Sequence, residues 1–151
     1  MSRRRGTARR GWGPRILGGL VAAFILIQLV PYGRAHTNPP VMASPQWADA
    51  TTEALFVRAC ADCHSNRTVW PWYSNVAPVS WLVQRHVDEG RSKFNIHVPG
   101  FGRDADEAAQ QVRSGKMPES TYPPLHPTAR LNSAERAQLA QGLAATFGDD
   151  E

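Results

Sequence analysis

Cys60 and Cys63 are the only cysteines among 151 residues, and His64 follows the second directly in the stretch CADCH. On a helix the three residues stand at i, i+3 and i+4, so all project to one side. Whatever this chain folds into must place two thiols and an imidazole side by side. A redox dithiol, a zinc site, a structural disulfide and a covalent prosthetic-group attachment all use closely spaced cysteines. The compartment and the fold class separate them.

The leader indicates the compartment. Residues 1–34 hold seven arginines and no acid, whereas residues 35–151 hold 10 basic and 13 acidic side chains. The basic pI of about 9.6 therefore belongs to the leader. The body has no basic patch of the kind that nucleic acid requires, so no nucleic-acid partner is expected. After Arg15 comes ILGGLVAAFILIQLV, residues 16–30, in which Gln28 is the only strongly polar side chain. The uncharged run between Arg15 and Arg34 is 18 residues, at the short end of the roughly 17–25 residues that cross a bilayer. Six arginines before the run and one after it keep the N-terminus in the cytoplasm. The expected organisation is a basic cytoplasmic segment (1–15), a transmembrane signal anchor (16–33), a proline-containing extended linker (34–48) and an exported domain (49–148). A cleaved signal peptide is the alternative.

The body reads as all-α. A first helix is expected over Thr51–Cys63, capped by Thr51 or Thr52. A second is expected from Pro78 to Glu89, stopped by Gly90, with Val79, Leu82, Val83, His86 and Val87 facing inward. A third covers Ala105–Ser114 with Asp104 as cap and Gly115 as stop. The last covers Ser133–Phe147, where Asn132 and Glu135 have capping-box spacing and Leu139, Leu143 and Phe147 form a stripe. Such helices enclose a thin core. With Trp47, Trp70, Trp72 and Trp81 in the body, a large flat apolar ligand would complete it.

In this setting the alternatives for CADCH narrow. A thioredoxin-like dithiol expects a βαβ unit, and a zinc site expects four ligands. A disulfide across so short a loop stabilises little. Two thioether bonds to a haem need two thiols at about this separation, and the iron needs an imidazole just beyond. The spacing is the c-type haem attachment pattern, with Cys60 and Cys63 as the tethers and His64 as proximal ligand.

For the opposite axial position the candidates are Met117, His126, His86, His97 and, in the linker, Met42. Met117 stands in the loop SGKMPES between a helix stop and the last helix, with Pro118 restraining its backbone. That order is similar to small c-type cytochromes in which a loop methionine caps the distal face, and Met117 leads. His126 lies between prolines, His86 on the inner face of the second helix, and His97 in a loop where solvation is expected. An open site would suit ligand sensing or peroxide chemistry instead.

The blocks YGRAHTNPPV, CADCHSNRTVWPWYSNVAPVSWLV, GR..FN and KMPESTYPPLHPTARLNSAE resemble the bacterial haem-binding domain family, whose members are small, exported, c-type cytochrome-like proteins. The resemblance covers nearly all of residues 31–143 and departs at Ile96-His97-Val98. It implies one covalent haem c on Cys60 and Cys63, with His64 proximal, and supports Met117 as distal ligand. Trp70, Trp72 and Tyr73 then become candidate walls of the haem, although ordinary core packing suits the same side chains. Ser65 and Asn66 are expected to end the helix by bonding the backbone. Arg58, Arg67, Arg85 and Arg91 are candidate propionate partners.

The expectation is thus a small cytochrome c-like, all-α domain around one haem, preceded by one transmembrane helix. Its expected function is one-electron transfer outside the cytoplasmic membrane, with haem-attachment machinery and membrane-bound or extracytoplasmic redox proteins as partners. The competing functions are a haem-based sensor and a peroxidase.

Overall fold

In a computed structural model, residues 12–148 are described. Most of the expected basic segment therefore lies outside the described residues. Six α-helices follow in order: α1 (Trp12–Ile27), α2 (Ala50–Ala59), α3 (Ala61–His64), α4 (Val79–Lys93), α5 (Ala108–Arg113) and α6 (Ser133–Phe147). Short 3-10 turns cover Trp72–Asn75 and Pro127–Ala129. Among the described residues there is no strand, only one isolated bridge between Phe94 and Gly102. The all-α expectation holds.

The core lies between α2, α5 and α6. Leu55 and Phe56 of α2, Ala109 and Val112 of α5, and Leu139, Ala140 and Leu143 of α6 bury together with Phe94 and Ile96. Phe147 extends this core as a hub of edge-on aromatic contacts with Trp47, Phe94 and Phe101. The axes of α2 and α6 approach closely where Gly142 rests on the buried Thr52 side chain.

α6 forms as its sequence requires. The Asn132 side chain accepts from the Glu135 N–H at 2.9 Å, and the Glu135 carboxylate accepts from the Asn132 N–H at 3.0 Å. This is the expected capping box, and it satisfies two donors that the helix itself leaves open. Asn132→Ala is expected to destabilise the domain by about 1 kcal/mol. In a domain of this size that lowers the thermal midpoint by roughly 4–8 °C. Thermal unfolding followed by circular dichroism checks it.

Several boundaries differ from the sequence expectation. The first body helix does not run unbroken to Cys63. It is capped by Asp49, whose carboxylate accepts from the Thr52 N–H at 2.8 Å and the Thr52 hydroxyl at 2.7 Å. It turns at Cys60 (φ −130°, ψ −31°) before α3 begins. α4 passes through Gly90 and continues to Lys93, and of the expected inward residues only Val87 is fully buried. Gly90 is there for proximity, because its Cα faces the Cys63 carbonyl. α5 starts only at Ala108, with Glu107 in place of Asp104 at its N-terminus.

The leader also differs. Its apolar helix ends at Ile27, short of the expected 33, and among the described residues no helix is long and apolar enough to cross a membrane. Nor is the segment after it a free linker. Arg91 donates to the Thr37 carbonyl (3.0 Å) and the Asn38 side chain (2.9 Å), and Asn66 donates to the Pro40 carbonyl (2.8 Å). The prolines keep this segment extended, and the body satisfies its backbone groups.

Candidate functional site

The turn at Cys60 builds the site. The Cys60 carbonyl accepts from both the Cys63 and His64 N–H groups, at 3.1 and 3.0 Å, so the chain changes direction without losing hydrogen bonds. α3 then packs against α4 at Gly90. The result is a cavity of about 220 Å³ whose wall carries Cys60, Cys63 and His64 together with Phe56, Phe94 and Val112. Met117 lines the same cavity. The two thiols, the imidazole and the thioether that the sequence singled out are therefore brought to one site.

The His64 ring is oriented by its Nδ1, which donates to the Phe94 carbonyl at 2.9 Å. That bond leaves Nε2 as the lone-pair nitrogen, the arrangement that metal-ligating histidines use. Burial holds His64 below the ordinary imidazole pKa, against the opposing pull of the Phe94 and Gly90 carbonyls. The ring is therefore neutral and able to ligate at neutral pH.

Burial pushes both thiols up to about 12. Cys63 adds to the rise at Cys60, whereas Asp62 and Glu119 add to the rise at Cys63 and Arg91 opposes it. Both are protonated at neutral pH and unbonded to one another. A redox dithiol needs a lowered thiol pKa, so this environment argues against that use.

Met117 is held by its backbone. Its N–H donates to the Gln111 carbonyl at 3.1 Å, and its carbonyl accepts from Arg136 at 3.0 Å. The same Arg136 nitrogen donates to the Val112 carbonyl at 3.1 Å, tying the loop to the end of α5. Nothing in the local sequence around Met117 marks Arg136 for this, because it lies 19 residues on, within α6.

The remaining candidates disperse. His86 lines the cavity but pairs with Glu119 at 3.2 Å. His126 lies in a smaller neighbouring groove, stacked on Tyr122 at 3.9 Å, where its Nε2 accepts from the Tyr73 hydroxyl at 3.2 Å. Met42 is exposed on the segment before α2. Trp70, Trp72 and Tyr73 do not line the cavity. Trp70 stacks on His36 at 4.7 Å, Trp72 is 79 % exposed, and Tyr73 faces the neighbouring groove. Of the four arginines offered for propionates, Arg58 pairs with Glu135, Arg85 with Glu89, and Arg91 braces backbone carbonyls; none lines the cavity. Lys93 is the cation on the cavity wall, among the carboxylates Glu89, Asp104, Glu107 and Glu119.

His97 corrects the expectation most sharply. It is buried, not solvated. Its Nδ1 accepts from the Asn66 N–H at 3.0 Å, Asn66 Oδ1 accepts from Asn95 at 2.8 Å, and Asn95 Oδ1 accepts from the His97 N–H at 2.9 Å. This closed ring clamps the chain just after His64 to the loop after α4, where the Ile96 N–H also donates to the His64 carbonyl at 3.0 Å. The Ser65 hydroxyl turns the chain there by accepting from the Arg67 N–H at 3.0 Å. The paired asparagines and the histidine are legible in sequence only as polar loop residues.

Burial, and then the charge of Arg67, lower the His97 pKa. A histidine whose folded pKa is depressed binds its proton more readily when unfolded. Stability from this ring should therefore be complete above the unfolded value near 6.5 and fall as pH drops through it towards the folded value. Thermal midpoints measured from pH 7.5 downward should decline below about 6.5, and His97→Asn should flatten that decline.

An apolar wall, two protonated thiols at attachment spacing, a neutral imidazole oriented by a backbone carbonyl and a facing-loop methionine are together the donor set and lining that a haem uses. Neither a curated protein nor a solved structure matches the chain. The sequence signature of a haem-binding domain, however, matches residues 22–145, and the chain belongs to the haem-binding domain family.

Proposed function

We propose that this chain is a mono-haem c-type protein that passes single electrons outside the cytoplasmic membrane. The observation that carries the reading is the convergence of Cys60, Cys63, His64 and Met117 on one cavity. Cys60 and Cys63 would hold the haem by thioether bonds, and His64 and Met117 would supply its iron with a nitrogen and a sulfur donor. When bound, the haem supplies an iron that cycles between Fe(II) and Fe(III).

The chain's own residues set the conditions for that cycle. The Phe94 carbonyl keeps the His64 ring in one tautomer and one orientation, which strengthens it as a donor. Arg136 and Gln111 hold the backbone of Met117, so its thioether is presented by a fixed loop. Phe56, Phe94, Val112 and Leu143 give the cavity an apolar wall, which disfavours water there. A methionine ligand in such surroundings favours the reduced iron and raises the potential. The four carboxylates along the cavity suit a transient partner with a basic docking face.

Anchoring in lipid is part of this proposal. No residue of α1 is buried, and apart from Arg15 no charge interrupts it. Such an all-round apolar helix requires a nonaqueous surrounding. The arginine excess before it supports a haem domain on the far side of the membrane.

The test is the spectrum of the oxidised protein. Wild type is expected to show the weak long-wavelength charge-transfer band that marks methionine ligation, and Met117→Ala is expected to lose it entirely. A wild-type ferrous protein that binds carbon monoxide readily at neutral pH would instead establish an open site and overturn electron transfer as the function.

A further inference from the structure

Gln28, the one polar side chain in the apolar leader, has a use that haem binding does not require. It stands one residue beyond α1, and its amide is fully engaged. Nε2 donates to the Phe24 carbonyl at 3.1 Å and the Ala77 carbonyl at 2.9 Å. Oε1 accepts from the Ala77 N–H at 3.0 Å and from Arg34 at 3.0 Å. An amide offers two donors and two acceptor lone pairs, and here all four are satisfied. The two bonds to Ala77 form a two-point clasp on a fully buried residue just before α4.

Two further contacts reinforce the clasp. Gly33 is buried with φ +80°, and a Cβ there would overlap the Ser80 carbonyl, so backbone touches backbone. His36 Nε2 donates to the Ser74 carbonyl at 3.1 Å while its ring stacks on Trp70. The chain leaving α1 is thus pinned at three successive points to residues 70–80. A flexible tether would need none of these bonds.

Exposed apolar side chains flank the clasp in sequence, Tyr32 after Gln28 and four others on either side of Ala77. Tyr32, Trp72, Val76, Val79 and Leu82 are all exposed there, although the clasp itself is polar and closed. A patch of this kind on an exposed face marks an interaction surface. Its composition, two aromatics with a polar tip among aliphatics, is that of side chains placed at a lipid–water boundary.

We infer that the Gln28 clasp seats this face of the haem domain against the bilayer surface, so that the cavity is carried in a fixed orientation. The inference rests on the anchored reading proposed above. The occupant is lipid because Gln28, directly after α1, bonds Ala77 between the exposed Val76 and Val79, which joins this face to a helix with no buried residue. The fixed seat gives an electron carrier a constant distance from membrane-embedded partners, which a swinging domain lacks.

The test uses the full haem-loaded chain in phosphatidylcholine vesicles doped with a phosphatidylcholine that carries a photoreactive diazirine. Vesicles are floated, illuminated and digested, and labelled peptides are quantified by mass spectrometry. Label is expected on α1 and, several-fold above the α6 peptide, on the peptide containing Trp72 and Leu82. Gln28→Ala should abolish the excess on the second peptide and leave α1 labelling and the haem spectrum unchanged. If α1 is labelled and the Trp72 peptide is no richer than α6, the seat is wrong and the anchor stands. The same holds if Gln28→Ala leaves the pattern intact, or if the patch is protected only when a protein partner is added. If the chain does not float, the anchor fails and the seat falls with it.

Discussion

Replacing Cys60 and Cys63 together by serine is expected to convert a haem that stays with the denatured protein into one that leaves it completely. Extraction of the acid-denatured wild type with butanone should leave all colour in the aqueous phase, and the double variant should lose all of it to the solvent. Each single variant keeps one thioether and should retain its haem. Its α-band in alkaline pyridine should move to longer wavelength by part of the shift seen in the double variant. Serine preserves size and polarity at both positions, so the packing of α3 on α4 persists and the readout reports the bond alone. Wild-type haem that extracts freely would overturn covalent attachment and leave the family's haem binding in place. The buried, protonated state of both thiols makes the distinction sharp, since neither is poised for competing disulfide or thiolate chemistry.

Gly90→Ala is expected to reverse the usual effect of that substitution in a helix. Ordinarily alanine stabilises a helix interior over glycine by about 1 kcal/mol. At position 90 the new Cβ would lie 2.5 Å from the Cys63 carbonyl oxygen and 3.0 Å from Cys63 Cβ. Both are fixed atoms of the attachment segment, and neither can rotate away. Such overpacking costs about 1–3 kcal/mol, so the net change is destabilising. Relief requires α3 to move off α4, and that movement carries Cys63 and His64 with it. The expected result is a lower thermal midpoint and a reduced ratio of haem to protein absorbance after expression. A raised midpoint with full haem content would show that the crossing relaxes elsewhere.

Gly90 also illustrates how the sequence misleads. A glycine near the end of an apolar-periodic segment reads as a helix stop, but close approach of a second backbone uses the same residue for a different reason. Only the partner segment, 27 positions earlier in the chain, distinguishes the two. The same limit applied to the aromatic block. Trp70, Trp72 and Tyr73 sit near the cysteine motif in sequence, and their chemistry suits a haem wall. Trp70 instead stacks on His36, Trp72 in the 3-10 turn is exposed, and Tyr73 meets His126 in the neighbouring groove, which Cys63 also lines. The boundary of the leader helix, the docking of residues 34–48 and the burial of His97 escaped for a related reason. Each depends on bonds to residues distant in sequence, which local periodicity does not encode.

What the sequence by itself determined was everything set by spacing within one or two turns. CxxCH keeps two thiols and an imidazole within one turn of the chain, Asn132 and Glu135 cap α6, and the apolar stripe of Leu139 and Leu143 faces the core. These interactions close over three or four residues, so their geometry is nearly independent of the rest of the chain. Only the tertiary structure decided that Met117, and not His126 or His97, shares the cavity with His64. It also decided that Arg136 holds Met117, that Asn66, Asn95 and His97 close a buried ring, and that Gln28 clasps Ala77. Each joins segments whose meeting is set by how the helices pack, and packing is a property of the whole core.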